Sequence, residues 1–296
     1  RPLKHQKIKT RSKNETLLER ILNLIESVIP EGEIPTAIGI AAPGPLNPRT
    51  GVILNTPNIP DWENYPIADK VNARFHIPVY LGNDANLAGL GEWRYGAGQG
   101  HENLLYLTIS TGIGGGVISD GHLLEGWQGL AGELGHVTVV ADGPVCGCGH
   151  KGHLEAFSSG TGIARYVEEQ LEDDTVESSL RSRAKRTAEL IAEAARKGDP
   201  LAVSAYERAG KYLGIGVASF LHIFNPSILI FGGGVSQSGE LLWTPFRKSL
   251  QEHIFNPAYL ENLVITPAAL GDDAGLLGAL ALVGMKEKTK ENSVDV

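Results

Sequence analysis

The stretch from Ala131 to Glu155, AGELGHVTVVADGPVCGCGHKGHLE, holds both cysteines of the 296-residue chain. Cys146 and Cys148, with His136 upstream and His153 downstream, supply four soft or borderline donors, the number a closed tetrahedral zinc site needs. A chain that closes such a site must turn back on itself here, so this span constrains the local fold before any periodicity is consulted. Glu133 and His136 are spaced i, i+3 and share a face if the backbone turns helically. Glu133 then looks into a cleft, and His136 faces both cleft and metal. A polar loop with two neighbouring cysteines is the competing reading; the two histidines at these distances favour a structural metal, zinc first on ligand softness.

Two cysteines one residue apart are too close for an unstrained disulfide, which leaves no disulfide framework and points to a reducing compartment. No apolar run reaches the length of a membrane span, and the first residues lack a charged-then-apolar signal pattern. The expected location is the cytoplasm, with no membrane partner. A net charge of −8 argues against broad attraction to nucleic acid. The basic run at 181–186, RSRAKR, reads as a solvated helix face.

Taken in order, Ser12 followed by Glu15 reads as a capping box, and Leu17, Leu18, Ile21, Leu22, Ile25 and Val28 repeat at helical spacing. Residues 36–42 form a buried strand, 51–54 a second, 67–75 a helix and 78–81 another strand. That strand delivers Asn83 and Asp84 ahead of a helix over 87–95. Strand 104–110 runs into Thr111-Gly112-Ile113-Gly114-Gly115-Gly116, and Asp120-Gly121 reads as a hairpin turn. Helices are expected at 159–172, 184–197, 200–222, 239–253 and 274–285. Strands at 227–231 and 263–266 complete the alternation, and the tail from Lys286 is expected to fray. Strands alternating with helices give an α/β protein. Its two glycine-rich strand exits, 112–116 and 232–234, are natural walls for one nucleotide site, because α/β sheets bind ligands beyond the carboxyl ends of strands.

The run Ser110 to Gly116 offers backbone N–H groups with little side-chain bulk, as a phosphate cradle requires. It lacks the Gly-Lys-Ser/Thr of a P-loop, and a plain glycine turn fits it too. Asp84, at a strand end, is placed to act as a general base; a helix N-cap is the alternative use. Asn58, Glu133, His136 and Glu155 are short polar groups of the kind that read a polyol.

Together these residues resemble the ROK family of sugar kinases and repressors, its bacterial ATP-dependent glucokinases above all. The resemblance is carried by Ala42-Pro43-Gly44, Leu81-Gly82-Asn83-Asp84-Ala85-Asn86, Ser110 to Gly116, Gly132-Glu133-Leu134-Gly135-His136, Cys146-Gly147-Cys148-Gly149, Phe231-Gly232-Gly233-Gly234 and Gly271-Asp272-Asp273-Ala274-Gly275. It implies the actin-like, ribonuclease-H-like fold: two α/β domains around a central cleft, 1–87 plus 273–296 and 88–272. By this likeness Asp84 takes the proton from the sugar 6-hydroxyl as it attacks the γ-phosphate of ATP. Gly44, Asn58, Asn83, Asp84, Glu133, His136 and Glu155 hold the sugar. Thr111, Gly112 and Gly114 meet the phosphates, and Gly233 with Gly234 the adenosine end. His136, Cys146, Cys148 and His153 hold structural zinc, while Mg²⁺ arrives with ATP.

Two departures stand out. The family places a third cysteine where this chain has His153, and His150 competes for that role. Nothing in residues 1–40 matches the family's opening Asp-x-Gly-x-Thr phosphate loop, so the chain reads as a fragment that begins after it, the alternative being a protein that has lost half its phosphate grip. Glucose is the expected substrate; N-acetylmannosamine, N-acetylglucosamine and fructose are alternatives, as is polyphosphate for ATP. A sugar-sensing repressor is the rival of another class, and a homodimer or homotetramer the expected assembly.

Overall fold

A computed structural model describes every residue except 1, 2, 11, 13, 57, 58, 60, 295 and 296, with side chains in the last helix described up to residue 288. Internal contacts divide the chain into two units, Arg1–Asn83 with Leu282–Val296, and Asp84–Ala281.

The first unit begins with α1 (Leu17–Val28). Its cap is Thr16, whose Oγ1 accepts from the Glu19 N–H at 3.2 Å while the Glu19 carboxylate accepts from the Thr16 N–H at 2.8 Å. The box therefore sits one turn later than Ser12 and Glu15 suggest. Leu17 is the first residue of the apolar repeat, and the cap directly before it wins. Strand β1 (Ile38–Ala42) is followed by the short antiparallel pair β2 (Leu46–Asn47) and β3 (Val52–Ile53), α2 (Ile67–Phe75) and β4 (Val79–Asn83). β1 and β4 run parallel, from Ile38 opposite Val79 to Ala42 opposite Asn83. Leu46, Ile53, Trp62, Ile67, Val71 and Leu81 belong to the core, against which the partly buried apolar stripe of α1 packs.

The second unit opens with α3 (Asp84–Tyr95), which starts three residues before the expected helix. Then come β5 (Leu104–Ile109), β6 (Ile113–Ser119) and β7 (His122–Leu123), α4 (Glu155–Ser158), α5 (Gly160–Gln170), α6 (Ala188–Arg196) and α7 (Pro200–Phe224). β8 (Ile228–Gly232), α8 (Glu240–His253), β9 (Val264–Pro267) and α9 (Ala274–Val294) complete it. From Leu282 onward α9 belongs to the first unit. The helix runs on through the tail that sequence alone marks as frayed.

The sheet order is β7-β6-β5-β8-β9, parallel across β5, β8 and β9 and antiparallel across β5, β6 and β7. β8 is buried along its whole length, as its continuous apolar sequence requires of a strand covered on both faces. The main core gathers Leu105, Leu107 and Ile109 of β5 with Leu213, Val217 and Phe220 of α7 and Phe246 of α8.

Helix α3 is held at its far end by Glu92, which is fully buried. Its carboxylate accepts from the N–H groups of Ala97 (2.9 Å), Ala269 (3.1 Å) and Leu270 (2.8 Å). A charge out of water needs such donors, and a carboxylate with three backbone N–H partners is satisfied.

Residues 181–187 are not helical. Arg181 folds back onto the carbonyls of Leu171, Asp173 and Val176. Helix α6 starts only after Thr187, which caps it. The loop is anchored by Asp199, which accepts from the Ser178 and Ser179 hydroxyls and from the Ser179 and Ala202 N–H groups.

Candidate active site

Asp84 is the first residue of α3, so the strand-to-helix junction sets its position. Its side chain is open to solvent, but the protein mass around the carboxyl disfavours ionisation and raises its pKa above the ordinary carboxylate value. The Ala85 N–H donates to its Oδ1 at 2.8 Å and works in the opposite direction. Desolvation wins.

The helix can lie close to the sheet because β6 carries glycine. A Cβ at Gly114 would meet the Ala85 Cβ at 2.6 Å, and one at Gly116 the Ala85 carbonyl oxygen at 3.1 Å. Much of the glycine run thus serves close approach, and residues 113–116 pair with β5 instead of forming a free cradle. What remains for phosphate is the turn before it. Among the described residues, no acceptor faces the Thr111 and Gly112 N–H groups, while the Ser110 and Thr111 carbonyls hold the start of α5 through Gly160 and Thr161.

Glu133 precedes a single turn of 3-10 helix, Leu134–His136, and His136 ends it. The i, i+3 spacing holds: Glu133 Oε2 lies 3.9 Å from His136 Nε2. The Glu133 pKa is raised, first by desolvation, with His136 opposing and the charges of Asp84 and Glu155 adding to it. Carboxylates that feel one another in this way converge on one region. The loop carrying Glu133 is fixed by Asn86, whose Nδ2 donates to the Ala131 carbonyl at 3.1 Å. Sequence reasoning quoted Asn86 in a motif without giving it a role; its place two residues after Asp84 was the available signal.

Glu155 opens α4, and both its oxygens are engaged. Oε2 accepts from the Ile113 N–H at 2.9 Å and Oε1 from the Cys146 thiol at 3.1 Å. A Cβ at Gly112 would sit 2.4 Å from Oε2, so a side chain there would displace the Glu155 carboxylate. Each carboxylate oxygen has a second lone pair, so a sugar hydroxyl can still donate to Glu155.

The four candidate metal ligands lie together. Val145 bridges to Lys151, Thr138 bridges to His153, and the Cys146 N–H donates to the His150 carbonyl at 2.7 Å. These closures bring one ligand atom each from His136, Cys146, Cys148 and His153 within 4.8 Å of one another. Cys146 Sγ lies 3.7 Å from His136 Nδ1, and Cys148 Sγ 3.2 Å from His153 Nδ1. A tetrahedral zinc with bonds of about 2.0–2.3 Å sets its ligand atoms roughly 3.3–3.8 Å apart, so this donor set fits. With Nδ1 of His136 on the cluster, Nε2 faces Glu133. Burial, reinforced by Glu155, pushes the Cys146 thiol up to about 12. Such a thiol is inert as a nucleophile, and a bound cation is what would ionise it.

Gly233 and Gly234 follow β8. Gly233 has φ +84°, and a Cβ there would lie 2.3 Å from the Ile109 carbonyl oxygen, so no other residue fits. Gly234 has open space around it and borders a cavity of about 780 Å³. That cavity extends from Thr111 and Thr161 past Arg186, Arg196 and Tyr206 to Gln237. Residues 181–185 of the basic run are exposed, as a solvated face requires, but the run is not helical and the half-buried Arg186 lines this cavity. Its Nε donates to the Leu180 carbonyl at 3.0 Å, and Arg196 donates to the Ser238 carbonyl at 3.3 Å. Thr111 and Gly234 were expected on this wall; Arg186 and Arg196 were not, and charge was the only signal for them.

Gly44 and Asn83 belong to the first unit, Asn83 closing β4 opposite Ala42. Asn58 lies outside the described residues.

The chain is similar to known proteins over most of its length. The glucokinase of Thermotoga maritima is 40% identical over 272 residues, 91% of this chain and 85% of that protein. The crystal structure of a ROK hexokinase from Thermus thermophilus superposes with a TM-score of 0.77 at 37% identity, covering 92% of this chain and 87% of the other. A ROK glucokinase from Streptomyces griseus, solved with glucose and AMPPNP, gives 0.72 at 38% identity over 89% and 87%. The expected actin-like fold stands. The ROK family model matches residues 2–286, and the chain belongs to the ROK family.

Proposed function

We propose that this chain performs ATP-dependent phosphorylation of a hexose at its 6-hydroxyl, with glucose as the substrate. The observation that carries the reading is Asp84, a carboxylate with a raised pKa at a helix start, whose charge is felt by Glu133 at the edge of the metal-binding loop. Asp84 accepts the hydroxyl proton as the sugar oxygen attacks the γ-phosphorus and ADP departs. A base with a raised pKa is better matched to that proton than an ordinary aspartate. Thr111 and Gly112 present backbone N–H groups to the phosphates, and the cavity beyond Gly234 takes the nucleoside. A cavity with a distinct nucleoside end favours ATP over polyphosphate as donor. Mg²⁺ carried in with ATP neutralises charge on the transferring phosphoryl group.

Glu133, His136 and Glu155 read the sugar hydroxyls, and the resemblance assigns further sugar contacts to Gly44, Asn58 and Asn83. His136, Cys146, Cys148 and His153 would hold zinc, which orders the sugar loop and fixes the His136 tautomer. Free thiols in a metal cluster suit a reducing compartment, in keeping with cytoplasmic glycolysis. The assembly we favour is a homodimer or homotetramer.

ADP release from Mg-ATP against a panel of glucose, N-acetylmannosamine, N-acetylglucosamine and fructose tests the reading. Glucose-dependent turnover that disappears in Asp84→Asn supports it. Tight sugar binding without turnover on any sugar would sink it in favour of a sensor.

A further inference from the structure

The cluster has more donors than a tetrahedral ion uses. His150 lies outside the four-ligand set, yet its Nδ1 is 3.8 Å from Cys148 Sγ. Its ring lies nearly parallel to that of His153, with centroids 6.0 Å apart and an interplanar angle of 15°. The donors are also graded by exposure. Cys148 and His150 are exposed, His136 and His153 half-buried, and Cys146 is 2% exposed. A cation from solvent therefore meets Cys148 and His150 first and Cys146 last.

We propose that His150 is a transfer ligand, which holds the ion with Cys148 at the rim and passes it to His153 and the buried pair. The inference rests on the metal reading above. Its physical basis is that zinc has no d-electron preference for one geometry and expands to five ligands in passing. A fifth donor beside Cys148 lets one bond form before another breaks, which lowers the barrier for both uptake and release. At rest His150 adds little, because four donors already close the site. The His150 carbonyl bonded to the Cys146 N–H is backbone and survives any substitution there.

The test uses the full chain, stripped of metal by a chelator under reducing conditions. Zinc uptake, and release to a chromophoric chelator, are followed by stopped flow, with affinity measured by competition. His150→Ala should slow uptake and release about tenfold each and leave affinity within about twofold. His153→Ala should lower affinity by more than about a hundredfold, since it removes a ligand instead of a second partner. Unchanged rates in His150→Ala would overturn the proposal. So would an affinity loss as large as that of His153→Ala, which would make His150 a resident ligand. A wild-type chain that takes up no zinc would remove the metal reading and this inference together, while ADP release judges the kinase reading separately.

Discussion

The two walls of the candidate site are built in different ways. The proposed sugar side is local: Glu133, His136, Cys146, Cys148, His153 and Glu155 come from one stretch, folded onto itself by the bridges at 138–153 and 145–151. The proposed nucleotide side is dispersed, drawing Thr111, Thr161, Arg186, Arg196, Tyr206 and Gln237 from loops and helices far apart in sequence. The first wall depends on rare side-chain chemistry. The second depends on backbone shape and on where helices happen to end. Damage to the two walls should therefore separate in kinetics.

The largest separation is expected at Asp84. Asp84→Asn should lower kcat by roughly 10²–10⁴-fold, the usual contribution of a positioned base, with KM for ATP little changed. A comparable rise in KM for ATP would mean that the two walls are one. Next comes Cys146→Ser, which should empty the cluster of metal, read by elemental analysis, and raise KM for the sugar by about 10–100-fold. Arg196→Ala should act on the other wall alone. KM for ATP is expected to rise about three- to tenfold, near 1 kcal/mol, with the sugar KM unmoved. The smallest effect is in the pH profile. A base whose pKa is raised by desolvation is protonated at a higher pH than a free aspartate, so activity falls earlier on acidification. The acid limb of kcat/KM should lie above the value of about 3.9 for an unperturbed aspartate. A limb at or below that value would remove desolvation of Asp84 from the argument.

The same contrast explains what was legible in the sequence. Four soft donors within one short segment leave few alternatives, and His136, Cys146, Cys148 and His153 do meet. The glycines at 112–116 were visibly special, but sequence could not say for what. Gly114 and Gly116 make room for Ala85, and Gly112 lies against Glu155. Such contacts are tertiary, and no local pattern encodes them. Arg186 was invisible for a different reason. A run of charge carries no direction, and Arg186 is held where it is by bonds to the Leu180 and Arg181 carbonyls, which sequence spacing does not announce. The α1 cap shows the limit of motif spacing: Ser12-x-x-Glu15 and Thr16-x-x-Glu19 satisfy one rule equally, and the position of Leu17 chooses between them.

The buried carboxylate of Glu92 gives α3 a second fixed point. Asp84 stands eight residues earlier on the same helix, about 12 Å away along a rigid rod. The proposed base is therefore aimed from a distance, by a residue that touches neither sugar nor phosphate. A substitution at Glu92 would be counted as a folding defect by its location and as a catalytic one by its kinetics. Any search for inactivating variants that follows distance from the sugar will pass over it.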